Sequence, residues 1–293
     1  MLRGVAHVEA ASTRARPVEA MATLSRPIVD SHWQESATAE LRAGLGSVRM
    51  WAMLAHFDVV SRYRRTAIGP FWQTLTLAIF VGSLGFVYSA LFNMEVSTYV
   101  PFLTASLLPW LFISTIINEG CTVFVEGEPI IKNTRVPLSM FAFRVTLRNF
   151  IVLLHNLPVL VLVLLILGSP VGWPVLLAPL GLVLILINAP WVVLVLGLLT
   201  TRFRDIQQLV AILLQVTFLV TPIMWSPALL GGGRAFIAEL NPLHHFLEVF
   251  RAPVLGAVPA ALSYGVVLIT TLVGWTGALA LFRRYRSRVA YWL

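Results

Sequence analysis

The 293-residue chain is 58% hydrophobic and only 12% charged, against about 25% charged residues in a typical soluble domain. This composition favours one polytopic membrane domain over two soluble ones. The net charge of +8 does not indicate nucleic-acid binding, because the basic residues form short clusters beside apolar runs, as membrane-flanking charges do. Cys121 is the only cysteine, which excludes an intrachain disulfide and a cysteine-based metal site.

Residues 1–44 are polar and Ala-rich without a continuous apolar core, so we predict a mobile cytoplasmic tail and no secretory signal. Residues 45–66 predict an interfacial amphipathic helix, and a plain membrane anchor is the alternative. Gly69-Pro70 would end this helix, and Phe71-Trp72 would lie at the membrane boundary. The apolar arc of the interfacial helix comprises Met50, Met53, Leu54, Phe57 and Val60.

Six apolar runs are each close to the roughly 20 residues that a helix needs to cross a bilayer. They cover about 71–92, 100–118, 145–168, 173–201, 206–225 and 257–282. Their continuity excludes the alternating pattern of a β-barrel. We therefore predict an all-α polytopic membrane protein with about six transmembrane helices in a domain over 67–285. Within the spans, Gly82 and Gly85 would allow close helix approach, unless they serve ordinary packing.

Basic residues cluster on alternate connections between these spans, which the positive-inside rule places in the cytoplasm. Both termini, including 286–293, are then cytoplasmic. Only the connection 226–256 breaks the pattern, with Arg234 and Arg251 on the predicted outer side.

Two cytoplasmic loops have the character of contact sites. EGEPIIKNTRVP, residues 126–137, mixes charges with Ile130 and Ile131, which predicts a short amphipathic helix docking on a partner; a solvated turn is the alternative. TRFRD, residues 201–205, places Asp205 at the start of the fifth span, where its carboxylate would cap the helix.

The outer segment 222–256 predicts a short helix that begins at Asn241-Pro242, ends at Pro253 or Gly256, and dips into the outer leaflet. His244 and Glu248 lie four residues apart, but no third ligand is visible, so no metal site is predicted.

The chain is poorly supplied for catalysis and carries no energy source of its own. The predicted outer loops hold three carboxylates, Glu95, Glu239 and Glu248, and no paired acids. The only lysine, Lys132, follows an isoleucine, which excludes a P-loop. Glu119 and His155 are the nearest candidates for functional charges within the spans, and a structural role is the preferred interpretation of both.

Four stretches, in this order along the chain, resemble the permease subunits of type 2 ABC exporters for polysaccharides: the O-antigen, teichoic-acid and galactan exporters. They are RYRRTAIGPFW, EGEPIIKNTRVPLSM, RFRDI and NPLHHFLEVFRAPVLG. The likeness covers about residues 45–285, and the order and spacing of the four stretches make it specific. The proline often found soon after the start of the first span is absent here, where the chain reads QTLTL after Trp72.

The resemblance implies a homodimer that binds two copies of a separate nucleotide-binding ATPase subunit, with ATP and Mg²⁺ bound by that partner and no cofactor in this chain. Residues 120–134 would form a cytoplasmic coupling helix, and 202–205 a second contact. The implied ATPase-coupling residues are Glu126, Glu128, Ile130, Ile131, Lys132, Arg135, Arg202, Arg204 and Asp205.

The resemblance also implies where the cargo would pass. A lipid pyrophosphate would enter at Arg62, Tyr63, Arg64 and Arg65, because guanidinium groups bind phosphate in a bidentate manner; anchoring to anionic lipid is the alternative. The implied channel aromatics are Phe71, Trp72, Phe80, Tyr88 and Phe218, for each of which core or lipid packing is the alternative. The implied outer gate, formed by re-entrant outer helices before the last span, comprises Pro222, Trp225, Asn241, Pro242 and Arg251.

The expected function is that of an ATP-driven exporter subunit in the inner or plasma membrane, moving a polyprenyl-pyrophosphate-linked polysaccharide outward. Alternatives are a type 2 ABC permease for drugs or other lipids, and a membrane enzyme acting on polyprenyl-linked sugars. The arginine-rich, lysine-poor composition, typical of a high-GC genome, favours galactan as the polymer.

Overall fold

The computed structural model describes residues 36–62, 64, 66, 68–69, 71–169, 172–227 and 236–293. Within these ranges the regular structure is entirely helical. The helices are α1 (Ala37–Gly46), α2 (Val48–Arg62), α3 (Phe71–Leu91), α4 (Val96–Glu126), α5 (Glu128–Asn133), α6 (Ser139–Ile166), α7 (Ala178–Arg202), α8 (Ile206–Val220), α9 (Phe236–Glu239), α10 (Pro242–Val254), α11 (Ala261–Tyr285) and α12 (Val289–Trp292). Short 3₁₀ turns precede α7 (Trp173–Leu177) and α12 (Arg286–Arg288).

Five helical segments among the described residues are long and apolar enough to cross a membrane. They run over Phe71–Leu91, Val96–Asn133, Ser139–Ile166, Trp173–Arg202 and Ala261–Trp292. The all-α polytopic prediction is therefore confirmed, and five of the six predicted spans correspond to these segments.

The fifth predicted span, 206–225, is wrong at its end, because α8 stops at Val220 after 15 residues. Thr221 has extended backbone (φ −77°, ψ 135°), as expected for a residue that precedes a proline, here Pro222. At 1.5 Å per residue, α8 spans only about 22 Å of a hydrocarbon core that is about 30 Å thick.

The centre of the bundle is α4, which packs most extensively against α7 and α6 and also contacts α3, α8 and α10. Its buried side chains include Leu103, Leu107, Leu108 and Phe124, each almost fully removed from the surface. By contrast, within the part of the chain that the structure describes, no residue of α8 is buried. Helix α8 is therefore the least embedded apolar helix of the bundle.

The predicted mobile tail 1–44 is corrected in its last part. Residues 1–35 lie outside the described residues, but α1 is a packed helix with Ser36 as its N-cap. Gly44 lies against α6, so close that a Cβ at this position would be 2.1 Å from Ser139 Oγ. The sequence signal was weak because α1 is short and its partners lie about 100 residues away.

The predicted interfacial helix begins later than residue 45, because the helical structure is interrupted at Ser47 between α1 and α2. Helix α2 packs against α6 through Ala55 and Val59, which are buried. Met53, Phe57 and Val60 of the predicted apolar arc are exposed. This exposed arc leaves an apolar face available to lipid.

Of the two glycines predicted to allow close helix approach, only one lies against a neighbouring helix. Gly85 does meet its neighbour, since a Cβ there would lie 2.5 Å from Val100 Cγ2, whereas Gly82 has nothing within 4 Å. Among the described glycines, the tightest contact with the backbone of another helix involves Gly181 of α7, where a Cβ would lie 2.2 Å from the carbonyl oxygen of Val249 on α10.

Gly181→Ala is expected to destabilise the protein by about 1–3 kcal/mol, because backbone atoms of α10 cannot move aside for the added methyl group. Gly82→Ala is the matched control, also in a helix interior but facing open space, and is expected to be neutral or slightly stabilising. Thermal unfolding of both variants in nanodiscs checks the difference. Equal unfolding temperatures would contradict the close contact between α7 and α10.

Candidate coupling surface and access network

The predicted coupling helix is shorter than 120–134. Residues 120–126 continue α4, and only α5, from Glu128 to Asn133, forms a separate helix after Gly127. No residue of α5 is buried, and Ile130 and Ile131 are half-exposed. Lys132 Nζ lies 2.6 Å from Glu128 Oε1, an i,i+4 ion pair along the helix. The structure thus presents a short charged helix with apolar side chains available for contact.

The second predicted contact, 202–205, lies near the coupling helix. Arg202, Arg204 and Asp205 are all exposed. The pKa of Glu128 is lowered mainly by its hydrogen bond and charge interaction with Lys132, and to a smaller extent by the charge of Arg204. Glu128 is therefore ionised, and both predicted contacts contribute to one charged surface, which we call the coupling surface.

The capping role predicted for Asp205 is wrong. Asp205 is the N-cap residue of α8 but has helical backbone (φ −70°, ψ −21°), and its side chain makes no capping hydrogen bond. A capping side chain normally requires an extended backbone at this position. Asp205 is thus an exposed charge of the coupling surface, as are Glu126 and Arg135 beside α5.

The C-terminal residues border the coupling surface. The Arg202 guanidinium lies 5.1 Å from the ring centroid of Trp292 and 5.2 Å from that of Phe203. Helix α12, which carries Trp292, contacts both α7 and α5. The C-terminus therefore helps to fix the side chain of Arg202.

Glu40 of α1 connects this helix and Arg286, near the C-terminus, to the segment that follows the coupling helix. Its Oε1 accepts a hydrogen bond from the Leu138 backbone N–H (2.8 Å), and its backbone carbonyl accepts one from Ser139 Oγ (3.1 Å). Its Oε2 pairs with Arg286 Nη1 at 2.8 Å. Glu40 and Arg286 are both buried. This clasp holds the beginning of α6 in place.

Glu40→Gln is expected to destabilise the protein by about 3 kcal/mol, because it removes the buried carboxylate that pairs with the Arg286 guanidinium. Arg42→Gln, an exposed change on the same helix, is the control and is expected to stay within about 0.5 kcal/mol of the wild type. Thermal unfolding and the protease sensitivity of α1 measure both effects. The clasp would be refuted by equal protease sensitivity of the two variants.

A network of charged residues joins α2, α4 and α6, and the sequence did not predict it. Arg144 binds Asp58 through two hydrogen bonds of 2.8 and 2.6 Å. Arg148 donates to Asp58 Oδ2 (3.1 Å) and to Glu119 Oε2 (2.7 Å). Glu119 also accepts from Arg62 Nη2 (3.1 Å).

Asn149 completes this set, which we call the arginine network: Asp58, Arg62, Glu119, Arg144, Arg148 and Asn149. The Asn149 Nδ2 donates to Glu119 Oε2 at 2.5 Å. Three arginines and two carboxylates leave one positive charge. The available sequence signal was the i,i+4 spacing of Arg144 and Arg148, which places them on one face of α6.

The predicted access residues are only partly described. Arg62 belongs to the arginine network, yet 43% of its side chain is exposed. Arg64 is exposed, and Tyr63 and Arg65 lie outside the described residues. One predicted arginine is therefore shared between the network and the surface.

The predicted channel aromatics fall into two groups. Phe71, Trp72 and Phe80 on α3 are 62%, 49% and 45% exposed. Tyr88 is half-buried and lies 5.6 Å from the ring of Phe92, and Phe218 is half-buried against Trp110 at 5.6 Å. Only the first group presents broad ring surface.

Two of the predicted outer-gate residues, Pro222 and Arg251, are in contact, and Arg251 is buried on α10. Its Nη1 donates to the Pro222 carbonyl (2.6 Å) and to Ser106 Oγ (3.1 Å), and its side chain pairs with Glu248. The guanidinium also lies 4.7 Å from the ring centroid of Phe102. Arg251 thus ties α10 to α4 and to the turn after α8.

Helix α10 begins at Asn241-Pro242 as predicted and ends at Val254, between the two predicted end positions Pro253 and Gly256. Asn241 is its N-cap and accepts from the Leu243 N–H, Pro242 is its first residue, and Gly256 follows its end with φ +83°. Asn241 also donates to Thr221 Oγ1 (2.8 Å). The remaining gate residue, Trp225, donates from Nε1 to the Leu219 carbonyl at 3.1 Å.

The described residues contain no group of three or more His, Cys, Asp or Glu side chains placed to hold a metal ion. Of the three outer carboxylates, Glu248 is paired with Arg251, and Glu95 accepts a hydrogen bond from Ser97.

Comparison with known proteins decides the family. The profile described as ABC-2 type transporter matches residues 50–255, more than two thirds of the chain. The protein belongs to the ABC-2 type transporter family. Family membership makes it a multi-pass transmembrane subunit without an ATPase site of its own, working with an ATPase subunit.

Curated relatives of this ABC-2 chain carry a more specific name. One from Klebsiella pneumoniae, an O-antigen export system permease protein RfbA, is 22% identical over 81% of this chain and 92% of its own length. Another of the same name, from Myxococcus xanthus, is 21% identical over 68% of this chain and 77% of its own length.

The matched region of the ABC-2 chain includes the coupling surface up to Asp205, most of the outer segment and the whole arginine network. Glu40 and Arg286 lie outside it. The terminal clasp therefore lies outside the part of the chain that the family profile covers.

Proposed function

We propose that the protein is the membrane-spanning subunit of an ATP-driven exporter of a polysaccharide linked to polyprenyl pyrophosphate. The observation that carries the proposal is the match to O-antigen export permeases over 92% of a relative's length, in a chain whose only lysine excludes a P-loop. The protein would be located in the inner or plasma membrane. Galactan is the cargo that the high-GC composition favours.

In this proposal the end that carries the coupling surface faces the cytoplasm. The basic residues Arg62, Lys132 and Arg204 lie at one end of the spans. The loop 93–99 at the other end contains no basic residue, and its only charged residue is Glu95. The positive-inside rule therefore supports cytoplasmic termini.

A homodimer is the proposed assembly, bound to two ATPase subunits that carry ATP and Mg²⁺. Two apolar helices support it: α8 has no buried residue among those described, and α3 exposes Trp72 and Phe80. Apposed copies of these helices would line a channel in which the exposed rings contact sugars.

The coupling surface would seat the ATPase, with Glu126, Glu128, Ile130, Ile131 and Lys132 as its central contacts. Arg135, Arg202, Arg204 and Asp205 would flank them. A route from this surface to the cargo is supported by α6, which begins at the Glu40 clasp and carries Arg144 and Arg148 of the arginine network. A displacement of α5 would thus reach Arg62 through α6 and the ion pairs that Glu119 makes with Arg148 and Arg62.

The arginines at 62, 64 and 65 would receive the lipid pyrophosphate. Replacing all three with Gln is expected to leave membrane insertion normal and to lower export at least about tenfold, because charge-assisted hydrogen bonds to phosphate are lost. Fractionation and surface labelling of the polysaccharide measure the two effects. Failed insertion would show instead that the stretch is an anchor.

Depletion of the protein in its host tests the proposed function as a whole. Lipid-linked polysaccharide should accumulate inside the membrane, and an ATPase subunit should co-purify with the tagged chain. If neither occurs, or if synthesis of the polysaccharide stops, the chain is not an exporter subunit.

A further inference from the structure

A polar groove lies between α3, α4 and α6, with a volume of about 380 Å³. Its polar lining consists of side-chain amides and hydroxyls from all three helices: Gln73, Thr76, Thr115, Asn149 and Asn156. Uncharged hydrogen-bonding groups converging from three membrane-spanning helices are uncommon unless a ligand or water meets them.

Asn156 gives the polar groove an unmet hydrogen bond. The residue is 7% exposed, and its Oδ1 is buried without a partner among the described residues. The side-chain amide of an asparagine can donate two hydrogen bonds and accept two, and the lipid of a membrane interior offers no group that can form them. The amide is therefore set to bind a polar group that enters the groove.

The rest of the groove lining is apolar and includes an aromatic ring. Phe80 is 45% exposed and lines the groove together with Leu77 and Leu153. A sugar ring presents hydroxyl groups at its edge and C–H groups on its face, so a groove lined by both amides and an aromatic ring complements it.

A second groove shows the contrast. The groove between α3 and α6 is lined by Ile68, Phe71, Leu75, Val159 and neighbouring residues, with Thr74 as its only polar side chain. Such a surface suits lipid chains, which need no hydrogen bonds. The amide-lined groove is chemically different and does not suit a hydrocarbon tail.

The polar groove borders the arginine network through a shared residue. Asn149 lines the groove and donates to Glu119, which in turn holds Arg62 and Arg148. A pyrophosphate at the exposed side of Arg62 would therefore have its attached sugar near the groove.

We propose that the polar groove binds the first saccharide unit of the lipid-linked cargo, through Asn156, Gln73 and Thr76 and with Phe80 against the sugar face. This inference rests on the proposed function. It assigns recognition of the sugar nearest the lipid to a groove within one subunit, which shares Phe80 with the proposed channel between subunits.

Binding of two probes to the full chain in nanodiscs, followed by native mass spectrometry, tests the proposal. One probe is a polyprenyl pyrophosphate carrying one N-acetylhexosamine, and the other is the same lipid without the sugar. The wild type should bind the sugar-bearing probe at least about tenfold more tightly, a difference that two or three hydrogen bonds can supply.

Asn156→Leu and the double variant Gln73→Leu with Thr76→Val should each abolish most of that preference while binding the bare lipid as the wild type does. Asn118→Leu is the matched control, since this exposed amide lies outside the groove and donates to Ser114 of its own helix. The double variant carries the test if Asn156→Leu fails to fold.

Equal affinity of the wild type for both probes would overturn the assignment, as would variants that keep the preference or lose affinity for both probes alike. Binding of the bare lipid that depends on Arg62, with no gain from the sugar, would leave the proposed function standing and remove the groove from it. Failure of the wild type to bind either probe would contradict the proposed function itself.

Discussion

Exchanging the charges of the coupling helix, by Glu128→Arg with Lys132→Glu, is expected to lower ATP-driven export at least about tenfold. The exchange keeps an ion pair four residues apart on α5, and no residue of this helix is buried, so the fold should be unaffected. An ATPase that complements the native charges would instead meet like charges, which strongly disfavours binding. Co-purification of the ATPase and its stimulated ATP hydrolysis measure the loss.

Glu95→Lys provides the control for this exchange, because it reverses an exposed charge at the opposite end of the spans. Its ATPase binding should equal that of the wild type. If the ATPase binds the exchanged variant and hydrolyses ATP at the normal rate, α5 is not the contact and the coupling surface must be assigned elsewhere.

Removal of Arg148 is expected to have the largest effect on stability. Arg148→Leu leaves Asp58 and Glu119 with one fewer cation each in a largely buried site, and breaking such a network costs about 3–5 kcal/mol. Arg148→Lys should recover only part of this, because an ammonium group cannot bridge two carboxylates as a guanidinium does. Thermal unfolding in nanodiscs measures both variants.

A double variant separates the network from simple loss of packing. Adding Glu119→Gln to Arg148→Leu removes the carboxylate left under-neutralised, and should restore about 0.5–3 kcal/mol relative to the sum of the single changes. The exposed change Arg64→Gln should not alter stability. Strictly additive effects would contradict the arginine network.

Local patterns in the sequence predicted what local physics controls. Continuous apolar runs located five of the six spans, because a bilayer imposes a length on each helix. Asn241-Pro242 predicted the start of α10, because a side-chain cap and a proline act within a few residues. Pro222 was a further local signal, because the residue before a proline disfavours helical backbone, but Pro109, Pro158 and Pro190 lie inside helices, so a proline alone does not locate the end of a span.

Contacts between distant parts of the chain could not be predicted in this way. Asp58 and Arg144 are 86 residues apart, and Glu40 and Arg286 are 246 apart, so neither pair leaves a periodic pattern. Asp58 is held by Arg144 and Arg148 of α6, and Glu40 by Arg286 and the start of α6, so both carboxylates find their partners only in the folded chain. The polar groove was hidden for the same reason, since its amides come from α3 and α6.

Transport in proteoliposomes tests the central claim most directly. The chain, reconstituted with its ATPase subunit, should move a polyprenyl-pyrophosphate-linked polysaccharide across the membrane only when ATP is supplied to the face that carries the coupling surface. Accessibility of the polysaccharide to an added glycosidase in the opposite compartment reports the movement. Transport in the absence of the ATPase or of ATP would contradict the account. So would a lack of transport when the ATPase, ATP and bound cargo are all present.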